Sequence, residues 1–447
     1  MDALSLVPQF GGLIWTILAF VVALSVIVAI HEYGHYIVGR WSGIEAEVFS
    51  LGFGPVIWSR TDKRGTQWQI AALPFGGYVK FLGDSNAASG TDAEALAEMS
   101  PEEQRHTMAG APLWARSATV AAGPIFNFAL SVVVFAAVIF ARGEIAEPLT
   151  VGDLRPVPMT NELQEGDRIL EIADMAVPSF GDTEGFERFS DALPRAPELP
   201  YRVSRDGREV AVTGPYPYPP IVTQVIPQSA ALAAGLRPGD VITEVNGDRI
   251  AAFDDLREIV ETSEGAALAL TVWRDSETLE RTLEPKRTDE PQPGGGFETH
   301  WRIGIIGGMV FEPATEMVGP LTALWGGVAQ VGTVIQGSLS GLWHMVTGAI
   351  SSCNLSGPIG IAETSGAMAS QGAMSFIWFI AVLSTAVGLL NLFPVPVLDG
   401  GHLVFHAYEA ISGRPPSDRA LQALMGAGLV AILSLMAFAV FNDLFCP

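Results

Sequence analysis

The stretch His31-Glu32-Tyr33-Gly34-His35 has the pattern H-E-x-x-H and directly follows a long apolar run. In a helix, residues four positions apart share a face, so His31 and His35 can both bind one metal ion. Glu32 lies beside them, where its carboxylate can take a proton from a water molecule at that metal. The pattern therefore predicts the chemistry of a zinc hydrolase.

The apolar run before this motif contains no charged residue between Leu13 and Ile30. A run of that length is typical of a membrane-spanning helix, and ionisable residues at membrane depth indicate a functional site because their burial is costly. Paired helical histidines can also be an ordinary surface or core feature. That interpretation would leave an unpaired carboxylate near lipid, so the sequence favours a zinc ion, Zn2+, inside the bilayer.

The composition of the 447 residues, 49% hydrophobic and 16% charged, is that of a membrane protein with soluble parts. Soluble domains average about 25% charged residues, so we expect several spans in contact with the lipid bilayer. The net charge of -23 argues against nucleic acid as a partner. The two cysteines, Cys353 and Cys446, lie far apart and predict neither a disulfide framework nor a zinc-ligand pattern.

The first membrane half is predicted over residues 1–141. It comprises span one, from about Leu13 to Val38, a small antiparallel sheet over residues 44–82, and span two, from about Ser117 to Phe140. The sheet is either a cytosolic flap or an edge that captures an extended peptide by strand addition. Asn127, inside span two, either packs helix against helix or supports catalysis.

An internal repeat occupies the acidic block between the spans, where residues 163–172 align with residues 236–245. The second copy, 219–286, has the features of a PDZ domain. The first, 147–215, is a divergent copy that lacks the Asn246-Gly247 turn. PDZ domains bind peptides along a groove between a strand and a helix, so peptide C-termini are predicted partners. A spacer role without peptide binding is the alternative.

Basic residues predict the orientation of the chain. They cluster between spans one and two, and Arg414 and Arg419 follow span three, which runs from Phe376 to about Val397. Such residues mark the cytosolic side of a membrane. The repeats then lie outside, and residues 303–375 are predicted to be an amphipathic segment on the outer surface. The second membrane half, 376–447, contains spans three and four.

Asp399 follows the proline-containing stretch Asn391-Leu392-Phe393-Pro394-Val395-Pro396-Val397-Leu398 at the end of span three. Prolines interrupt a helix, and irregular backbone at membrane depth normally lines a cavity. The predicted orientation brings Asp399 to the same cytosolic level as His31 and His35. A catalytic zinc usually has three protein ligands and a water molecule, so Asp399 is the predicted third ligand.

Taken together, these motifs resemble the site-2 protease family of intramembrane zinc metalloproteases. The resemblance extends over nearly the whole chain and includes H-E-x-x-H, Pro74 to Tyr78, Gly123 to Asn127, Leu355 to Pro358 and the stretch 391–401. The order of these elements and the two PDZ copies are most similar to the sigma-E-regulating members of the family in Gram-negative bacteria.

The resemblance implies a complete set of site residues: zinc ligands His31, His35 and Asp399, the general base Glu32, and the substrate-binding residues Asn391, Pro394 and Asn127. It also implies a protein of the cell inner membrane with periplasmic PDZ domains and an active site near the cytosolic side. The implied substrate is a single-span membrane protein, an anti-sigma factor, cut in its transmembrane segment after a first protease has removed its outer domain.

The predicted fold class is a polytopic α-helical membrane protein with four spans, a small membrane-associated β-sheet and two inserted periplasmic PDZ domains of the α+β type. The main alternative is a membrane scaffold or chaperone that binds peptides without cutting them, which would not need Glu32 beside ligand histidines. A metal transporter is a third interpretation. It would need acidic or histidine sites in several spans.

Overall fold

The computed structural model describes residues 7–84, 93–179, 182–292 and 296–446. Its helices are α1 (Val7–Trp41), α2 (Ala93–Glu98), α3 (Pro101–Gln104), α4 (Leu113–Arg142), α5 (Thr183–Ala192), α6 (Ala230–Ala233), α7 (Phe253–Thr262), α8 (Pro320–Val346), α9 (Pro358–Ser370), α10 (Ala373–Asn391), α11 (Asp399–Ser412) and α12 (Asp418–Phe445). Its strands are β1 (Ala46–Thr61), β2 (Gln67–Phe81), β3 (Glu144–Ile145), β4 (Val151–Leu154), β5 (Arg168–Ile172), β6 (Met175–Ala176), β7 (Leu199–Arg205), β8 (Arg208–Gly214), β9 (Gln224–Val225), β10 (Val241–Val245), β11 (Asp248–Arg249), β12 (Leu268–Arg274), β13 (Glu277–Leu283), β14 (Lys286–Pro291), β15 (Phe297–Arg302), β16 (Ile305–Ile306), β17 (Phe311–Pro313) and β18 (Thr315–Glu316).

The chain forms two compact units. The first contains the residues up to Val138, together with Leu321–Trp343 and Ser352–Cys446, and so holds the long apolar helices. The second contains Ile139–Pro320 and His344–Ser351, and so holds the strands from β3 to β18.

Four helices in the described ranges are long and apolar enough to cross a membrane: Gly12–Trp41, Leu113–Arg142, Ala373–Asn391 and Arg419–Phe445. By length and composition they confirm the prediction of four spans. Their outward faces expose large apolar side chains, as expected where lipid is the solvent. The third helix ends at Asn391, before the two prolines that cannot continue it.

Helix α8 lies against α4 within the first unit. A Cβ atom at Gly327 would come within 2.5 Å of the Val132 carbonyl oxygen, so only glycine allows this approach. Further along the same face, Val331 is buried with Phe135. The opposite face is apolar and exposed, with Trp325 at 72% exposure. Helix α8 is not among the four candidate spans of the described chain, and its place at the outer surface stays a prediction.

The beginning of that predicted outer segment differs from the prediction. Residues 303–316 form strands instead: β16 pairs with β9, β17 with β4 and β18 with β3. The reason is that β9, β4 and β3 would otherwise present unpaired backbone groups at an edge, and the returning chain satisfies them. The second sequence repeat therefore lies, in the chain, between two pairs of partner strands: β3 and β4 precede it, and β18 and β17 follow it.

The two sequence repeats contain sheets of the same strand order, β6-β5-β7-β8 and β11-β10-β12-β13. In each, an aspartate just before the first long strand forms a bidentate ion pair with the arginine that ends β7 or β12: Asp167 with Arg205, and Asp240 with Arg274. The two carboxylates are 0% and 1% exposed. Removing one partner of a buried pair leaves an uncompensated charge and costs about 3–5 kcal/mol, so loss of either residue should destabilise its sheet.

The turn that the first repeat lacks in sequence has an equivalent in its backbone. Ala173 and Asp174 adopt φ values of 49° and 62°, as Asn246 and Gly247 do at 54° and 88°. Both pairs close a two-residue antiparallel hairpin, and two positive φ angles are typical of a type I′ turn. The first repeat thus differs from the second in its turn residues and keeps the same turn conformation.

The two cysteines contradict the prediction made from their spacing. Cys353 and Cys446 form a disulfide, with Cα atoms 5.6 Å apart at a sequence separation of 93 residues. Spacing was misleading because closing a long loop costs only slightly more entropy than closing a short one. Helix α12 runs back to the short 3₁₀ turn at Ser352–Asn354, so its end meets the segment that precedes α9.

Candidate metal centre

The two histidines of the H-E-x-x-H motif lie on one face of α1, in its last three turns. Because they are four residues apart, their rings are adjacent, and the Nε2 atoms of His31 and His35 are 3.1 Å apart. Both Nε2 atoms therefore point toward a single position beside the helix.

Asp399 reaches the same position from the other end of the chain, as the first residue of α11. Its Oδ2 atom lies 3.2 Å from Nε2 of His31 and 3.5 Å from Nε2 of His35. The three ligand atoms all lie within 4.8 Å of one another. The structure thus brings together the three residues that the sequence predicted as zinc ligands.

The donor set fits a zinc ion. The Oδ2 atom of Asp399 is buried and has no hydrogen-bond partner in the described part of the chain, although a buried carboxylate oxygen needs one. A cation between this oxygen and the two Nε2 atoms would supply the missing partner. Two imidazoles and one carboxylate are typical ligands of catalytic zinc and leave a fourth position open.

The second nitrogen of each histidine ring is held by helix α4. Nδ1 of His35 lies 2.8 Å from the Thr119 carbonyl oxygen, which can only accept, so this nitrogen carries the proton and Nε2 is free. Nδ1 of His31 lies 3.2 Å from the side-chain amide of Asn127. The Asn127 Oδ1 atom is buried and has no hydrogen-bond partner among the described residues. A half-turn of the amide would let it accept from Nδ1 and free Nε2 of His31 in the same way.

Asn127 is fully buried against His31, and the substrate-binding role that the resemblance implied for it stays a prediction. Of the two possibilities that the sequence left open, the contact favours support of the catalytic site. Asn391, at the end of α10, is half-buried, and Pro394 is exposed in the following loop. Their substrate-binding roles stay predictions.

Two glycines that the sequence analysis assigned no role allow α1 and α4 to approach each other at the site. A Cβ atom at Gly123 would lie 2.3 Å from Nε2 of His35, and one at Gly34 would lie 2.6 Å from the Ala122 carbonyl oxygen. Gly123 precedes Asn127 by four residues and so shares its face of α4. A glycine inside a helix costs about 0.5–1 kcal/mol of stability relative to alanine. A glycine within a predicted span is therefore the sequence feature that could have indicated this close helix contact.

Glu32 lies next to the three candidate ligands and is not one of them. Strand β2 passes close over it: a Cβ atom at Gly77 would meet Cγ of Glu32 at 3.0 Å and the Ser50 carbonyl oxygen at 2.8 Å. The backbone N–H of Val79 lies near the Glu32 carboxylate. The glutamate is therefore oriented by the sheet and left available for proton transfer.

The approach of Asp399 depends on two glycines that follow it. A Cβ atom at Gly400 would lie 2.3 Å from the Leu392 carbonyl oxygen, and one at Gly401 would lie 2.3 Å from the Val395 carbonyl oxygen. The loop after α10 therefore folds tightly against the start of α11. Glycine allows such close backbone contact because it has no side chain.

Helix α11 is fastened to α4 by a pair that the sequence analysis missed. The guanidinium of Arg116 donates two hydrogen bonds to the Glu409 carboxylate, at 2.6 and 3.1 Å, across 293 residues of sequence. Both side chains are only 18% exposed. One turn earlier on α11, His406 contacts the Ser117 hydroxyl at 3.2 Å. We call the Arg116–Glu409 pair the α4–α11 latch.

We expect the latch to position Asp399, because both belong to the same short helix. Arg116→Glu should weaken zinc binding by about 10-fold to 100-fold, the usual effect of losing a group that orients a ligand. The double variant Arg116→Glu/Glu409→Arg should recover most of this loss. Competition with a chelator of known affinity measures it, and Arg105→Glu, at an exposed arginine nearby, is the control. A single variant with parental zinc affinity would contradict the role of the latch.

Comparison with known proteins gives consistent matches along nearly the whole chain. The model of peptidase family M50 matches residues 19–435. A protein of Agrobacterium fabrum named as a zinc metalloprotease is 37% identical over 438 residues, which is 97% of each chain. A similarly named protein of Rhizobium meliloti is 37% identical over 433 residues and 96% of each chain. The regulator of sigma E protease of Salmonella typhimurium is 31% identical over 461 residues, covering 97% of this chain and 99% of its own.

Proposed function

Because the chain belongs to peptidase family M50, and is therefore a zinc metalloprotease of the membrane, we propose that it hydrolyses a peptide bond within the transmembrane segment of a single-span protein. The observation that carries this proposal is the position of the metal centre. Its histidines lie on one candidate span, and its aspartate follows another after a short loop. A site built this way is suited to a substrate that enters from lipid.

The chain's own residues account for the proton transfers of such a reaction. Zinc held by His31, His35 and Asp399 would polarise the scissile carbonyl and lower the pKa of water toward about 7. Glu32 takes a proton from the attacking water and later delivers it to the leaving amine. Glu32 is not among the candidate metal ligands, so its carboxylate is available for these proton transfers.

The substrate helix must unwind locally, because a helical amide is shielded by its own backbone. Strand β2 and the loop after α10 both lie beside the site and can hold an extended segment by strand addition or by lining its path. The sheet also exposes large apolar side chains, with Ile57 at 72% and Trp58 at 51% exposure. These suit contact with lipid or with an apolar substrate.

The repeats are proposed to be two PDZ domains, and the second has a groove that fits a peptide. A cavity of about 450 Å³ lies between α7 and residues 302–307, and its lining includes the apolar Phe253, Leu256 and Ile305 and the charged Arg257, Lys286 and Glu290. Apolar walls with cationic groups suit a peptide C-terminus, whose carboxylate is negatively charged. Helix α7 of this groove lies within the predicted second repeat, 219–286, whereas residues 302–307 lie beyond it.

The relatives support a more specific substrate and place in the cell. One of them is named a regulator of sigma E protease, and we propose that this chain likewise cuts a pre-trimmed anti-sigma factor in the inner membrane. The PDZ domains are periplasmic and the active site faces the cytosolic side. The basic residues between the first two spans favour this orientation.

The decisive experiment offers the purified protein, in lipid vesicles, a labelled peptide that contains one transmembrane segment. We expect cleavage inside the apolar segment, located by mass spectrometry of the fragments, loss of cleavage with a zinc chelator, and recovery when zinc is restored. A version that keeps a bulky outer domain should be cut more slowly. Binding of the peptide without any fragment, in the zinc-loaded protein, would favour the scaffold interpretation instead.

A further inference from the structure

The end of α12 is attached to the segment before α9 by more than the disulfide. The Asp443 carboxylate accepts backbone N–H bonds from Gly357, Ile359 and Gly360 at 2.8, 3.0 and 3.1 Å. Next to it, the buried Asn442 amide donates to the Ser352 carbonyl oxygen at 2.7 Å. Five consecutive residues of the chain terminus thus provide three separate attachments.

Asp443 does for α9 what a capping side chain normally does. The first N–H groups of a helix lack partners within it and favour a nearby negative charge. The residue at the cap position of α9 is Gly357, which has no side chain to accept them. Asp443 supplies the acceptor from another helix, so α9 is capped only when α12 is in place.

Helix α9 in turn packs against the helix that bears the histidines. A Cβ atom at Gly366 would lie 2.4 Å from Oγ1 of Thr16 and 2.9 Å from its Cα atom, so α9 and α1 are in close contact. The end of α12 at Cys446 is therefore connected through α9 to α1, in the half of α1 that lies away from His31 and His35.

We propose that Cys353, Cys446, Asn442 and Asp443 form an oxidative clasp on the outer side of the membrane. Two thiols lose two electrons and two protons as one sulfur–sulfur bond forms. A thiol–disulfide oxidoreductase of that compartment takes them up, and its own disulfide becomes a dithiol. Asp443 and Asn442 hold the two cysteines together before and after this step.

The clasp has a consequence for the orientation of the chain that is independent of its basic residues. Disulfides persist outside the cytosol and are rare within it, so Cys353 and Cys446 both lie on the outer side. Helices α10 and α12 are both candidate spans, so the segment that joins them, residues 392–417 with Asp399, lies on the opposite, cytosolic side. This inference does not depend on the reaction that the metal centre performs.

Formation of the bond is tested with a maleimide mass tag on the protein denatured without reductant. We expect no tag on the parent chain, two tags after reduction, and one tag on Cys353→Ser under both conditions. Reduction should also lower the melting temperature of the parent and leave that of Cys353→Ser/Cys446→Ser unchanged. A parent chain that takes two tags without reduction would overturn the proposal.

The side of the membrane is tested with an impermeant thiol reagent on cells whose inner membrane is intact. The reagent should label Cys446 in Cys353→Ser. The control is Lys63→Cys, in a chain lacking both native cysteines, which should be labelled only after lysis because Lys63 lies between the first two spans. Labelling of Cys446 only after lysis would overturn the outer placement.

The role of Asp443 is tested by the equilibrium between reduced and oxidised protein in glutathione buffers. The hydrogen bonds of Asp443 and the Cys353–Cys446 disulfide both hold the end of α12 against the start of α9. By thermodynamic linkage, each of them makes formation of the other more favourable. Asp443→Ala should therefore need a more oxidising buffer for half-oxidation, and Asp443→Asn, which keeps one acceptor oxygen, should be intermediate. Leu444→Ala, at a neighbouring side chain that is 61% exposed, should match the parent. Equal midpoints for all variants would remove Asp443 from the clasp.

Discussion

Replacing Glu32 by glutamine is expected to abolish peptide cleavage while the protein keeps its zinc. Glutamine has almost the same shape as glutamate, but its side-chain amide cannot take a proton from water at neutral pH. General acid–base catalysis contributes about 10²-fold to 10⁴-fold to a rate, and a loss of at least that size is the predicted result. Cleavage of the labelled single-span peptide measures it.

The same samples must be analysed for metal, because a lost ligand would also lower the activity. Glu32 is outside the group of candidate ligands, so the zinc content of Glu32→Gln should equal that of the parent. Glu45→Gln, at an exposed glutamate just after α1, should leave both quantities unchanged. A zinc-loaded Glu32→Gln protein that still turns over near the parental rate would exclude Glu32 as the general base.

Asp399→Ala is expected to lose zinc and activity together. Without Asp399, two histidines remain, and a catalytic zinc usually has three protein ligands. The variant also removes the buried oxygen whose missing partner indicates a cation in this place. The zinc content of the purified variant, measured by elemental analysis beside the parent, should fall to a small fraction of one equivalent.

His402 provides a matched control, since it lies one turn further along α11 and is also a potential metal ligand. It is not a member of the cluster formed by His31, His35 and Asp399. His402→Ala should therefore keep its zinc. If Asp399→Ala retained tightly bound zinc while His402→Ala lost it, the third ligand would be His402, and the geometry described for the site would be wrong.

Local patterns in the sequence were sufficient for several features of the site. The spacing of His31 and His35 follows from the helical period, and the four most apolar runs predict spans because their length matches the bilayer. The two prolines before Asp399 predict the end of span three, because proline cannot continue a helix. Each of these depends only on residues close together in the chain, so the sequence alone determined them.

Other features depended on contacts between distant parts of the chain. The sequence left open whether Asn127 packs helix against helix or supports catalysis, and only the packing of α4 on α1 placed it against His31. The Arg116–Glu409 latch joins residues separated by 293 positions, and the disulfide joins two cysteines separated by 93. No periodicity or spacing indicates such pairs, because the entropy of closing a loop changes little with its length.

The strands of residues 303–316 also depended on contacts with distant parts of the chain. Their short apolar runs are compatible with a strand or with a surface helix, and nothing local distinguishes the two. The choice was made by the open edges of β3, β4 and β9, whose backbone groups needed partners. Sequence by itself therefore determined the spans and the chemical groups of the site. The tertiary structure decided which groups meet, because hydrogen bonds and close packing join residues that are distant in the chain, and such pairs give no local pattern in the sequence.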